Sequence, residues 1–166
     1  MERLYSPWRY GYVSTASEPA AGCIFCQAVA AQADPLLVAR GAAAFVILNL
    51  YPYNSGHLMI VPNRHVATLG ALTGDERADL VELTALAEAA ITEIYRPHGL
   101  NVGLNLGQAA GAGIADHLHL HVVPRWSGDT NFMSVVGDVR VLPEEVTVSA
   151  DRLRPVFARL LADASG

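Results

Sequence analysis

The sequence predicts an α+β domain, and three observations predict it: short β-prone runs joined by turns, one long segment with helical spacing, and no internal repeat. At 166 residues and 52% hydrophobic, the chain fits one domain of ordinary size that can bury a core without staples.

Residues 1–22 read as an N-terminal aromatic arm and linker, with Tyr5, Trp8, Tyr10 and Tyr12 followed by a Ser/Glu/Pro/Ala stretch. These aromatics suit packing on the domain or on a partner subunit better than a direct role at a substrate. Residues 23–166 form the domain and a C-terminal extension. A short helix is expected over 23–33, beginning at the cysteines. The apolar runs 36–40 and 43–49, separated by Gly41, suggest a hairpin. Residues 51–56 are a turn, and 57–61 a further strand closed by Pro62. Then the period changes. Thr73 and Glu76 have the form of a capping box, and Leu80, Leu83, Ala87, Ala90, Ile91 and Ile94 follow at helical spacing until Pro97 and Gly99. Residues 100–106 and 117–123 are strands around a Gly/Ala-rich loop, 107–113. A strand near 139–142 and a short helix near 151–161 complete the chain.

Charge and composition bound the function. The net charge is −5 and only 16% of residues are charged, so nothing draws the whole chain to nucleic acid or to an anionic membrane. The 11 basic residues are all arginine, which excludes Schiff-base and lysine-nucleophile chemistry. The start, Met1-Glu2-Arg3-Leu4-Tyr5, lacks an apolar signal region, and no apolar run spans a bilayer; the expectation is a soluble cytoplasmic protein. Both cysteines lie in Cys23-Ile24-Phe25-Cys26. In a reducing compartment such a pair is more often a metal half-site or a redox pair than a structural bridge.

The chemistry concentrates in His117-Leu118-His119-Leu120-His121. Side chains alternate faces along a strand, so the three histidines share one face while Leu118, Leu120 and Val122 point to the core. Three imidazoles in register make poor core filler, because each carries two ring nitrogens that need partners. Histidine is a competent nucleophile near neutral pH, one nitrogen attacking while the other is held by an acceptor. Metal binding is the alternative, since His-x-His is a common zinc ligand pair.

The run from His117 to Val123 resembles the signature of the histidine-triad (HIT) family of nucleotide hydrolases and transferases. Asn49, then Gly56-His57 opening a strand, then Val61-Pro62-Asn63-Arg64-His65, resembles the family's other block, and the order agrees across residues 23–126. The resemblance implies the HIT fold: a mainly antiparallel sheet, one long helix, short N- and C-terminal helices, and a sheet extended across a homodimer. It implies His119 as the nucleophile, forming a covalent nucleotidyl-histidine, with His121 and His57 as supporting histidines beside the phosphate. Asn49 matches the ribose-holding position and Asn105 a polar position before the loop. Gly111, Ala112 and Gly113, with Ile114, match the segment whose backbone N–H groups cradle the α-phosphate, donors that serve a charged transition state without lysine. Some relatives carry Gln or Ser where Gly113 stands; here the backbone N–H suffices, or Gln108 or a water substitutes.

In bacterial members with this Cys-Ile-Phe-Cys start, two histidines complete a zinc site. The matching residues are Cys23, Cys26, His65 and His117, which implies a structural Zn²⁺ pinning the first helix to the catalytic strand. The alternative is free thiols in the core. The resemblance leaves room for a divalent cation carried in with the substrate. Within the family, Pro124-Arg125-Trp126, the following Asp129-Thr130-Asn131-Phe132, and the opening Leu4 to Arg9 resemble the diadenosine tetraphosphate (Ap4A) phosphorylase branch. Trp126 stacks on a base or caps the core; Arg125 pairs with a distal phosphate or is a solvated charge. Arg125, Ser127, Thr130 and Asn131 would hold phosphate as the second acceptor, in preference to water. The expected function is therefore cleavage of dinucleoside polyphosphates by phosphorolysis or hydrolysis. Two alternatives stand beside it: hydrolysis of nucleoside phosphoramidates or other adenylates by the same mechanism, and a nucleotide-binding or zinc-dependent interaction module without turnover.

Overall fold

A computed structural model of the protein describes residues 22–31, 33–129 and 144–164. The arm expected over 1–22, apart from Gly22, and the strand expected near 139–142 lie outside the described residues.

The first helix, α1, runs Ile24–Ala30 with Cys23 as N-cap and buries Phe25 and Ala28. Arg40 closes its far end, donating to the Ala28 and Ala31 carbonyls at 3.1 and 3.0 Å. Strands β1 (Leu37–Arg40) and β2 (Ala44–Leu48) form the expected hairpin. Its turn is held from outside. The Asp79 carboxylate accepts the Ala43 and Ala44 N–H groups at 2.7 and 2.8 Å. Gly41 is required there, since a Cβ would lie 2.7 Å from that same carboxylate.

Strand β3 (Leu58–Pro62) pairs β2, β4 covers Gly99–Leu104, and β5 covers Leu120–Arg125. The sheet order is β1-β2-β3-β5-β4, every pair antiparallel, with Met59 and Gly103 flanking His121. Short connections between successive strands favour this arrangement.

Helix α2 spans Gly74–Tyr95 and carries the complete Thr73/Glu76 capping box. It ends at Arg96, which takes the left-handed conformation at φ 46°. A residue before proline is steered away from the right-handed helix, so Pro97 stops the helix one residue ahead of itself. Helix α3, Val146–Ala164, has 19 residues, nearly as long as the 22 of α2 and not the short helix the sequence suggests. Its first turns bury Ser149 and Ala150, small residues that leave little trace in an apolar pattern. Arg154 ties it to β1 through the Leu37 and Pro35 carbonyls.

The two faces of the sheet are buried differently. Val46, Leu48, Leu58, Ile60, Leu120 and Val122 meet α2 and α3, where Leu83, Ile91, Leu153 and Phe157 complete the main core. Each such side chain contributes about 1.5–3 kcal/mol when fully buried. The opposite face carries Phe45, Ile47, Met59 and Val61, covered among the described residues by α1, through Phe25 and Ala28, with Ile114 packed beside them. The rest of that face is left for polar residues. Replacing Asp79 by alanine strands the hairpin's two turn amides; Asp79→Ala is expected to lower stability by about 2–3 kcal/mol. Urea unfolding of the variant checks this, and an unchanged midpoint would refute the assignment.

Candidate active site and metal-ligand cluster

Strand parity gathers the site. Asn49 lies opposite His57, its N–H donating to the His57 carbonyl at 3.0 Å. His57 shares its face with Met59, which pairs with His121, and the β4 register carries Gly103 and then Asn105 along the same face. The face of the sheet opposite α2 and α3 therefore holds Asn49, His57, Asn105 and the triad together.

The triad is not wholly inside the ladder. Strand β5 begins at Leu120, so His117 and His119 precede it. The cause is Pro62, which ends β3 without an N–H to offer. Leu118 instead donates its N–H to the Val66 carbonyl at 2.6 Å, and its side chain packs with Val66 and Leu72. The faces still alternate: the Phe25 ring lies 5.4 Å from His117 and 5.1 Å from His119, and His119 lies 4.9 Å from His121.

Hydrogen bonds assign the tautomers, because carbonyl oxygens only accept and amide N–H groups only donate. His119 Nδ1 is 2.9 Å from the His117 carbonyl, so Nδ1 carries the proton and Nε2 the lone pair. His57 Nδ1 accepts the Tyr53 N–H at 3.1 Å, which leaves the proton on Nε2. That Nε2 is 3.0 Å from His121 Nδ1, so His121 accepts there and carries its own proton on Nε2. Two separate sets of bonds thus make His119 an acceptor at Nε2 and His121 a donor at Nε2, with the two rings side by side. Burial also disfavours charge on two of these rings. It pushes the His119 imidazole below its ordinary value, and pushes His121, with His119 beside it, down to about 4. His57 is fully buried, with the Tyr53 ring stacked on it at 4.9 Å.

The second cluster is Cys23, Cys26, His65 and His117, whose ligand atoms all lie within 4.8 Å of one another. His117 Nδ1 is 3.3 Å from Cys23 Sγ, and His65 Nδ1 is 3.3 Å from Cys26 Sγ. His117 Nε2–H donates to the Pro62 carbonyl at 2.8 Å, which turns the Nδ1 lone pair toward the sulfurs. A ligating histidine is anchored in this way through its far nitrogen. Two thiols and two imidazole nitrogens form a complete set for a tetrahedral ion and leave no open position.

The remaining expected residues divide. Asn49 spends its Oδ1 on the Tyr51 N–H at 2.9 Å, which shapes the turn. Gly111 and Ala112 donate their N–H groups back to Gln108 and Gly107 within the loop, while those of Gly113 and Ile114 make no such bond among the described residues. Ile114 packs on the Met59 side of the sheet. The Arg125 fork is filled: Nε and NH2 bind the two Asp129 oxygens at 2.6 and 2.8 Å, and NH1 binds Asn101 at 2.8 Å. The phosphate-pairing reading of Arg125 therefore has no support in its geometry. Trp126 is half-buried, its N–H on Asp129. Thr130 and Asn131 lie outside the described residues. Sequence reasoning missed Tyr53, Asn54 and Asp129; the four-residue spacing of Arg125 and Asp129 was the available signal.

Comparison with known proteins agrees with this geometry. The family model of the HIT domain matches residues 31–128. The chain is 44% identical to an AP-4-A phosphorylase of Mycobacterium tuberculosis, over 96% of this chain and 86% of that protein. It is 25% identical to an adenosine 5'-monophosphoramidase of Schizosaccharomyces pombe, over 79% of this chain and 95% of that protein. Among solved structures, a zinc-bound histidine triad family protein from Mycobacterium smegmatis superposes with a TM-score of 0.69 at 28% identity, covering 86% of this chain and 97% of that one.

Proposed function

The chain belongs to the HIT family, and from that premise we propose that it is an Ap4A phosphorylase working through a covalent nucleotidyl-His119. The observation that carries the mechanism is the locked tautomer of His119, a neutral buried imidazole whose Nε2 lone pair faces outward from a fixed Nδ1–H. The relative that covers nearly the whole chain supports the substrate class.

His119 is the only nucleophile the protein supplies, and inorganic phosphate is the second. His119 Nε2 attacks the α-phosphorus of one adenylate, and the bond to the bridging oxygen breaks. That oxygen leaves on ATP with its electron pair, beside the His121 Nε2–H. Inorganic phosphate then attacks the phosphorus, the P–N bond breaks, and ADP leaves with His119 restored. A covalent intermediate separates the two transfers, so the acceptor is a distinct choice from the cleavage. In this reading Asn49 would hold the ribose, and the Gly113 and Ile114 amides would serve as the loop's donors for the α-phosphate.

The Cys23, Cys26, His65 and His117 set suits zinc. With four protein donors the ion supplies folding free energy and no step of the reaction. The ligands themselves pin α1 and the 62–66 segment to the triad. The dimer is also a proposal. Strand β4 is an edge, with Val102 51% exposed on it, and a second copy pairing there would extend the sheet.

Incubation with Ap4A and separation of the nucleotides tests the reaction. ATP plus ADP, rising with phosphate, is expected; equal turnover without phosphate, giving ATP plus AMP, makes the enzyme a hydrolase. His119→Ala should lower kcat by more than about 10³-fold while retaining nucleotide binding, and substantial residual turnover would remove the covalent route. Turnover confined to phosphoramidates would favour the monophosphoramidase reading instead. Elemental analysis should find one zinc per chain, and Cys23→Ser should lose both the metal and thermal stability; a stable, metal-free wild type would sink the site. Sedimentation should show a dimer, and a monomer at micromolar concentration would leave β4 unpaired.

A further inference from the structure

We propose that Asn54 is a positioning residue that sets the tautomers of His57 and His121, and that Asp129 and Arg125 are built to hold it. Only its catalytic consequence rests on the function proposed above; the tautomer assignment stands on the structure itself.

Asn54 lies in the turn between β2 and β3, three residues before His57. Its Nδ2 donates to the Pro124 carbonyl at 2.8 Å and to Asp129 Oδ2 at 2.9 Å, so one amide group clamps the turn to the end of β5 and to the loop beyond. Asp129 is itself fixed by the Arg125 fork and by the Trp126 N–H at 3.2 Å. Those bonds hold its carboxyl far below the usual carboxylate range, so it stays an acceptor. Within the turn, the Asn54 carbonyl accepts the His57 N–H at 3.1 Å. The neighbouring Tyr53 N–H reaches His57 Nδ1 at 3.1 Å. On the other side, Gly56 at φ 78° sits so close to Tyr95 that a Cβ would lie 2.8 Å from its ring. The turn is wedged at Gly56 and pulled in at Asn54, and the Tyr53 amide is held between.

The consequence is polarity. With Tyr53 donating, the His57 proton must be on Nε2, and His121 must present Nε2–H on its far side. If the amide moves away, neutral His57 can take its Nδ1–H form. Its Nε2 then accepts, His121 Nδ1 must donate, and His121 Nε2 becomes a lone pair. A lone pair facing a phosphate oxygen repels where an N–H would bind. Releasing one side-chain clamp therefore frees the donor sense of the whole pair to invert, with no imidazole changed.

Imidazole ¹⁵N NMR on the full-length protein reads the tautomers directly, without substrate. In wild type, His57 and His121 should both show Nε2–H, and His119 Nδ1–H. In Asn54→Ala and in the isosteric Asn54→Asp, which has no donor and sets a second carboxylate beside Asp129, His57 and His121 should become mixtures while His119 is unchanged. With Ap4A, kcat should fall roughly ten- to a hundredfold, part of the roughly 10²–10⁴-fold that a placed proton donor contributes, with KM nearly constant. Asp129→Asn keeps an acceptor for Asn54 but loses the Arg125 ion pair; it should show a smaller shift, and it carries the test if the Asn54 variants do not fold. Unchanged His57 and His121 tautomers in a folded variant overturn the proposal, even where kcat falls. A wild type inactive on Ap4A defeats the function reading alone, since the tautomer result is independent of it.

Discussion

The orientation of His119 depends on one residue two positions before it. His117 uses three separate groups at once. Its Nε2–H is on the Pro62 carbonyl, its Nδ1 faces the cysteine sulfurs, and its own carbonyl holds the Nδ1–H of His119. The side-chain contacts fix the peptide, and the peptide carbonyl fixes the tautomer of the next triad member. Because neighbouring backbone cannot move independently of a fully buried ring, the thiol cluster and the His119 imidazole form one mechanical unit. Zinc bound at the cluster would tighten that unit without touching the reacting atoms.

The same constraint explains why the sheet is asymmetric. One face is closed by two long helices over a continuous apolar core, and it supplies the cohesion. The other is closed only over Phe45, Ile47, Met59 and Val61, by a seven-residue helix. A helix of that length is marginal alone. Its position therefore depends on Phe25 packing, on the Arg40 bonds to its last carbonyls, and on the cysteines at and near its start. Covering this face with a longer helix would bury the histidines beyond reach of a nucleotide.

Much of this was legible in the sequence because it depends on period. The alternation through His117–His121, the capping box at Thr73 and Glu76, and the Gly41 hairpin are local sequence patterns, and the structure contains each. The ligand set Cys23, Cys26, His65 and His117 was legible only through resemblance, since its members lie far apart along the chain. Other features were hidden for physical reasons. Asn54 and Tyr53 act through backbone atoms or on backbone atoms, which any residue type possesses. Asp79 reads as one more exposed helix acid until the hairpin amides are brought to it. Arg125 beside a catalytic strand looks like a phosphate ligand, yet Asp129 four residues on claims its fork at short range. The ladder's start at Leu120 reflects the missing N–H of Pro62, a property of the neighbouring strand.

That use of Arg125 is general, and it shapes the chemistry. Arg40 and Arg77 spend their guanidinium groups on backbone carbonyls, Arg152 and Arg159 on carboxylates, and Arg64 and Arg154 on both. Since the chain has no lysine, no cationic side chain among these is committed to the triad face. In the proposed reading, the described residues around the triad offer a polyphosphate neutral donors: imidazole N–H groups, loop amides and the asparagines. Neutral donors bind a dianionic phosphate oxygen less tightly than a guanidinium would, but they cost little to desolvate and stay fixed in direction. That favours a site whose selectivity lies in the directions of its hydrogen bonds, and such a site works only while every tautomer is held. The turn amide at Tyr53 and the carbonyl at His117 are therefore as necessary to the reading as the imidazoles they address.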